Sequence, residues 1–170
     1  MILRGRRLVV RSMQEPDVAR LAEIAAEPEI WQRWGEVSEA DLRAKLAGAA
    51  DDVTGLVVEL DGEVVGLIQY HEETDPDYRH AGVDMFLAEG ARGQGYGREA
   101  LLLVAGHLFE QRGHHRLTID PAADNEPAIR CYAAAGFRTV GVMRRYERGR
   151  DGSFHDGLLM ELVRPDQPSG

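Results

Sequence analysis

Glycines at 93, 95 and 97 in Arg92-Gly93-Gln94-Gly95-Tyr96-Gly97 let the backbone turn through positive φ and bring main-chain amides close to a ligand. An apolar-striped helix is expected to follow at once, and its first N–H groups lack intrahelical partners and carry partial positive charge. The run is therefore a candidate anion site, with a tight, ligand-free connection as the alternative. It fits neither a Walker loop, which needs Gly-Lys-Ser/Thr, nor the Gly-x-Gly-x-x-Gly of a dinucleotide fold. Just upstream, Asp84 interrupts the apolar run Gly82-Val83-Asp84-Met85-Phe86-Leu87. A carboxylate is costly to bury without a partner, so Asp84 either sits on an exposed face or holds a cation and accepts a proton. Glu72, Glu73, Asp75 and Asp77 precede the same strand. They form either a solvated loop or, with Asp120 and Asp156, a negative well suited to a ligand bearing several ammonium groups.

Other chemistries are poorly supplied. His114 and His115 are adjacent and have no Cys/Asp/Glu set at metal-ligand spacing, so no metal site is expected. Cys131, the single cysteine, precludes an intrachain disulfide and reads as a small core residue, with no Cys/His pair for nucleophilic catalysis. The chain carries 29 acidic against 20 basic residues over 170 positions, a formal charge of -9. That sign disfavours nucleic acid and anionic membrane as partners and favours a cationic small molecule. No apolar run approaches the ~20 residues of a membrane span, and no signal-peptide pattern opens the chain, so a cytoplasmic location is expected. Length and the absence of linkers imply a single domain over 1–164 with a flexible tail at 165–170. Monomer and homodimer both remain open.

The elements that would position these groups follow from periodicity and punctuation. Leu8–Arg11 reads as a first strand. Ser12 to Glu15 has capping-box spacing ahead of Pro16 and a helix carrying Val18, Leu21, Ala22 and Ala25 to about Pro28. A second helix starts at Ser38 and carries Leu42 and Leu46. Between them Trp31 and Trp34 suit either a buried plug or an aromatic wall for an acceptor. Gly55–Leu60 and Val64–Tyr70 form a hairpin about Asp61-Gly62-Glu63. The Asp84 strand, the glycine loop, a long helix from about Gly95 to Gln111 and a strand Arg116–Asp120 stopped by Pro121 come next. A helix over Pro127–Ala135 ended by Gly136, and two closing strands, Phe137–Arg145 and Phe154–Val163, complete the chain.

The combination Arg92-x-x-Gly95-x-Gly97, then Asn125, Ala128, Tyr132 and Gly136-Phe137, resembles the GCN5-related N-acetyltransferase (GNAT) superfamily. The stretches Glu72–Pro76, Gly82-Val83-Asp84, Thr118–Pro121 and Ala128–Tyr132 further resemble its aminoglycoside 6′-N-acetyltransferase branch. The resemblance implies an α/β fold with a mixed, mostly antiparallel sheet, splayed around acetyl-CoA and flanked by helices on both faces. It implies that the amides of Gly93, Gln94, Gly95, Tyr96 and Gly97, aided by Arg92 and Arg98, hold the coenzyme diphosphate. Asn125 would bond the pantetheine arm or cap its helix, and an amide near Phe86 or Leu87 would face the developing oxyanion. Asp84 would act as base or acceptor ligand. Tyr132 would protonate the departing thiolate, with a plain core tyrosine as the alternative. Trp31, Trp34, Glu72, Glu73, Asp75, Asp84, Asp120 and Asp156 are the candidate acceptor-binding residues.

The expected activity is acetylation of an aminoglycoside amine by direct transfer. A polyamine, a protein N-terminus or a siderophore-type amine are alternative acceptors, and a non-catalytic acyl-CoA-binding module is a third reading. A broad cleft with several carboxylates would favour the antibiotic; a narrow groove exposing strand edges would favour a peptide.

Overall fold

The computed structural model describes residues 1–47 and 53–164; the tail expected at 165–170 lies outside them. The strands are β1 (Ile2–Arg4), β2 (Val9–Ser12), β3 (Val53–Leu60), β4 (Glu63–Glu73), β5 (His80–Leu87), β6 (Arg116–Ile119), β7 (Arg138–Arg148) and β8 (Phe154–Val163). The helices are α1 (Asp17–Ala25), α2 (Pro28–Trp34), α3 (Glu39–Leu46), α4 (Tyr96–Glu110) and α5 (Glu126–Ala134), with a 3-10 turn at Glu89–Ala91. The strands join in one 8-stranded sheet of order β1-β2-β3-β4-β5-β6-β8-β7. Every neighbouring pair is antiparallel except β5 with β6.

Strand alternation sorts the core into two layers. On one face Leu56, Val58, Ile68, Tyr70 and Val83 pack under Leu101, Val104 and Leu108 of α4 and Tyr132 of α5. On the other, Val57, Leu67 and Phe86 meet Val18, Leu21, Ile30 and Leu42 of α1 to α3. Leu21, Leu42 and Leu67 are fully buried, each contributing about 1.5–3 kcal/mol by leaving water. Helices thus cover both faces of the mixed sheet, as the sequence leads one to expect.

The N-terminal region departs from expectation in three places. β1 precedes the expected first strand and pairs with it. The capping box at Ser12 does not form, because the Ser12 hydroxyl accepts the N-terminal amine at 2.9 Å. α1 is anchored instead by Asp17, whose carboxylate accepts the Gln14 N–H at 2.7 Å and the two Arg11 Nη groups at 2.7 and 2.9 Å. The tryptophan segment is itself a helix, α2, started by Pro28. By contrast the box at Ser38 and Asp41 forms in both directions, so α3 begins where expected.

One feature of the sheet creates the site. β5 and β6 pair only at Ala81↔Leu117 and Gly82↔Thr118. Beyond these residues the strands part, and a cleft of about 1720 Å³ lies between them, bounded by the C-terminal end of α2, the start of α5 and the β7–β8 hairpin.

Candidate active site

Asp84 lies at the splay, on the sheet face that carries Phe86, with Gln69 opposite it on β4. The next β4 residue on that face is His71, whose ring covers Gly82; a Cβ there would fall 2.0 Å from the ring Cε1. Asp84 is half-buried. Desolvation and the facing Asp120 carboxylate raise its pKa above the ordinary value, opposed in part by a hydrogen bond from Gln69. Gln69 Oε1 is buried and has no partner. A polar residue on every second position of β4, at Gln69 and His71, was the available signal for this layer.

The glycine loop has the shape that anion binding needs. Gly93 and Gly95 have φ of 71° and 85°, and Gly95 is the N-cap of α4 with no side chain bonded across it. The amides of the first turn are left without intrahelical acceptors. Gly97 lets α5 approach: a Cβ there would lie 3.2 Å from Cys131 Sγ and 3.6 Å from Met85 Cε. Arg7, which no local pattern singles out, fastens the loop. Its Nη1 donates to the Gln94 carbonyl at 2.9 Å, its Nε to Glu99 at 2.9 Å, and its guanidinium lies 4.8 Å from the Tyr96 ring centroid. Arg92 turns elsewhere, donating to the Leu87 carbonyl at 2.7 Å, to Glu27 at 2.9 Å and to Glu29, so it ties the loop to the start of α2. Arg98 stays exposed at the helix start. A turn of positive-φ glycines that ends in the unpartnered amides of a helix start suits a diphosphate.

On α5, Asn125 caps the helix, accepting the Ala128 N–H at 3.4 Å, and also lines the cleft. Burial pushes the Cys131 thiol pKa up, away from the thiolate. Tyr132 is buried at 7% exposure, yet it reaches the cleft through the strand gap. Burial, with Cys131, Asp84 and Asp120 adding to it, raises the phenol well above its ordinary pKa, so it stays protonated.

The acceptor side is built from three segments. Trp34 packs edge-on to Phe86, centroids 5.1 Å apart, and lines the cleft, so it is both plug and wall. Trp31 is 45% exposed and stacked under Arg150, whose guanidinium lies 4.3 Å from its ring centroid. Arg33 of α2 pairs with Asp124 at 2.9 Å across the rim. Asp120, Asp124, Glu147, Asp151 and Asp156 join Asp84 in lining the cleft. Asp156 accepts the Arg145 N–H at 2.8 Å.

The acidic run lies elsewhere, and this corrects the expected negative well. Glu72 follows His71 and so faces the opposite layer, where Arg112 binds it at 2.8 Å and buried His114 at 2.7 Å. Arg112 and His114 hold the Glu72 carboxyl below its usual pKa. Glu73 accepts the Asp75 N–H at 2.9 Å, and Asp75 the Asp77 N–H at 2.9 Å, shaping the β4–β5 turn. None of Glu72, Glu73 or Asp75 lines the cleft. Among the described residues no group of His, Cys, Asp and Glu is arranged to hold a metal ion, and no helix is long and apolar enough to cross a membrane.

The Acetyltransferase (GNAT) domain profile matches residues 7–138. The chain belongs to the GNAT family. Aminoglycoside N(6′)-acetyltransferase type 1 of Klebsiella pneumoniae is 31% identical over 157 residues, covering 80% of this GNAT chain and 76% of the relative. A solved AAC(6′)-Ib in complex with paromomycin and acetyl-CoA superposes with a TM-score of 0.77 at 28% identity, over 93% of this chain and 94% of that one. A Salmonella typhimurium acetyltransferase that modifies the N-terminal serine of ribosomal protein L7/L12 superposes at 0.84 with 19% identity, over 97% and 100% of the chains, a likeness of fold. This GNAT protein is an N-acetyltransferase, which removes the non-catalytic reading, and its donor is acetyl-CoA.

Proposed function

We propose that the enzyme acetylates a primary amine of an aminoglycoside, the 6′-amine by similarity to its relatives, within the cytoplasm. The observation that carries this reading is the cleft: about 1720 Å³, with Asp84 and Asp120 at its floor and further carboxylates on the hairpin wall. That volume exceeds the ~300–1,000 Å³ of an ordinary small-ligand pocket, leaving room for a polycationic acceptor beside the donor arm. Its breadth and its carboxylates are the features that separate such an acceptor from an extended peptide.

Acetyl-CoA supplies the acyl thioester. The amides at the start of α4, steadied by Arg7 and with Arg98 nearby, hold the diphosphate, and Asn125 meets the pantetheine arm. β5 amides facing the gap beyond Gly82 have lost β6 as a partner and are free to steady the oxyanion near Phe86 and Leu87. Asp84 takes a proton from the acceptor ammonium, and its raised pKa makes it a stronger base than an ordinary carboxylate. The neutral nitrogen forms the C–N bond as the C–S bond breaks. Tyr132 gives its proton to the departing sulfur and recovers one from the same nitrogen. A phenol held above its usual pKa is a poor acid alone, so the two transfers run together.

The test is thiol release from acetyl-CoA across aminoglycosides, polyamines and peptides bearing a free N-terminus. The expected result is turnover with 6′-amino aminoglycosides and little with the others. Faster turnover with a ribosomal-type N-terminal peptide or a polyamine overturns the acceptor assignment.

A further inference from the structure

Two arginines cross between the walls of the cleft. Arg150, on the turn between β7 and β8, lies over the indole of Trp31, its guanidinium 4.3 Å from the ring centroid. The tip of its side chain rests on the residue that ends α2: a Cβ at Gly35 would fall 2.5 Å from Nη2, and Gly35 has φ of 79°. The neighbouring carboxylate, Asp151, is taken by Ser153 and His155 instead. From the opposite wall, Arg33 of α2 donates its Nη1 to Asp124 at 2.9 Å, on the loop that leads into α5. Arg33, Gly35, Asp124 and Arg150 all line the cleft. Both contacts lie at its open rim, where Trp31 is half-exposed and the Asp124 side chain is 82% exposed. A cation–π contact or an ion pair in such a setting biases an equilibrium only about two- to fivefold. The arginines are thus held loosely, on a π face and a carboxylate, the two kinds of group that bind an ammonium.

We infer that the Trp31 face and the Asp124 carboxylate are two cation seats at the rim of the cleft, held by the chain's own Arg150 and Arg33, and that a polyammonium acceptor binds by displacing both arginines. The inference rests on the acceptor reading above and deepens it, because it names residues that set specificity. Entry of the acceptor becomes an exchange of one cation for another at each seat, with the released guanidinium turning to water. A ligand with several ammonium groups can fill both seats while it presents a further amine for transfer. An amine with a single charge must commit that charge to the reacting end and leaves the arginines where they are. The rim therefore selects by number of charges, and the arginines exclude amines that cannot replace them.

Arg150→Gln and Arg33→Gln vacate the seats. In the presence of CoA, the Kd for kanamycin measured by calorimetry should fall about two- to fivefold in each variant and about tenfold in the double variant. Arg148→Gln is the charge control: Arg148 lines the same wall but bonds only the Gly152 carbonyl, at 3.4 Å. The gain from Arg150→Gln should exceed that of Arg148→Gln and should vanish in a Trp31→Leu background, where the seat itself is gone. A Kd that stays or rises in either arginine variant overturns the inference, as does an Arg150→Gln gain that equals the control and survives without Trp31. A second readout is direct. The indole N–H NMR signal of Trp31, identified by its loss in Trp31→Leu, should shift on addition of kanamycin or spermidine and stay in place with glucosamine, which carries one charge. If kanamycin is acetylated while that signal is unmoved, the seats fail and the acceptor reading survives. If spermidine moves the signal while kanamycin is neither bound nor acetylated, the acceptor reading fails and the seats survive.

Discussion

Asp84→Asn separates catalysis from stability and tests the account of the floor of the cleft. Loss of the proton acceptor should lower turnover at neutral pH by about 10²–10⁴-fold, the range for a general base, with coenzyme affinity unchanged. The same change should stabilise the fold. The carboxylate is desolvated, faces Asp120 and has Gln69 as its hydrogen-bond partner, while Gln69 Oε1 is buried and unpaired. Asparagine removes the charge and brings an amide donor for that oxygen. A gain of about 1 kcal/mol, one ordinary hydrogen bond, corresponds to ~2–4 °C in melting temperature for a chain of this size. The pH dependence has a definite sign. The folded pKa of Asp84 lies above its ordinary 3.8, so between the two values the native state holds more protons than the unfolded one. The wild type therefore loses this contribution as pH rises through the folded value. The melting gap should be largest at neutral pH and close as pH falls toward 3.8. Calorimetric scans of both proteins from about pH 4 to pH 8 read it directly. A variant that melts at or below the wild-type temperature at neutral pH, or a gap that ignores pH, would refute the desolvation argument. Unchanged turnover would remove Asp84 from the chemistry.

Gly95→Val places a β-branched residue at φ 85° with Arg7 Nη2 3.1 Å from its Cβ, a strain of about 1–2 kcal/mol. Coenzyme Kd by calorimetry should rise at least ~10-fold, because the amides that hold the diphosphate are displaced, and an unaltered Kd would sink the loop assignment. Tyr132→Phe should lower kcat about 10²-fold without changing coenzyme Kd. In the wild type the raised phenol should impose no basic limb below its ordinary value of 10.0, so a Tyr132-dependent fall in rate near pH 9 contradicts the assignment. Glu72→Gln should leave KM for the amine unchanged but cost ~1–3 kcal/mol, read as a lower melting temperature, since Arg112 and His114 lose their anion. Glu72 titrates below its ordinary 4.5, so its stabilisation is present above that value and lost on acidification; the variant should lack this loss.

The coenzyme half of the proposed site rests on local signals. Glycines at 93, 95 and 97 meet a backbone requirement inside one loop, and Asn125 and Tyr132 lie on one short helix whose cap and end are written in neighbouring residues. Asp84 stood out for a similar reason, as a polar break in an apolar strand. The acceptor half depends on contacts that no local pattern encodes. Whether Glu72 or His71 enters the cleft is decided by strand parity, and a change of one residue in register would exchange them. Arg7 reaches the loop from a turn 87 residues earlier in the chain. Arg92 carries the family's loop signature, yet Glu27 and Glu29 draw its charge into a brace for α2. A sheet that splays at one parallel pair asks little of sequence on its coenzyme side and much of the segments that close the other. On the proposed function acceptor choice resides in α2 and the β7–β8 hairpin, which line the cleft, and exchanging that hairpin should change which amine is used while leaving coenzyme affinity as it was.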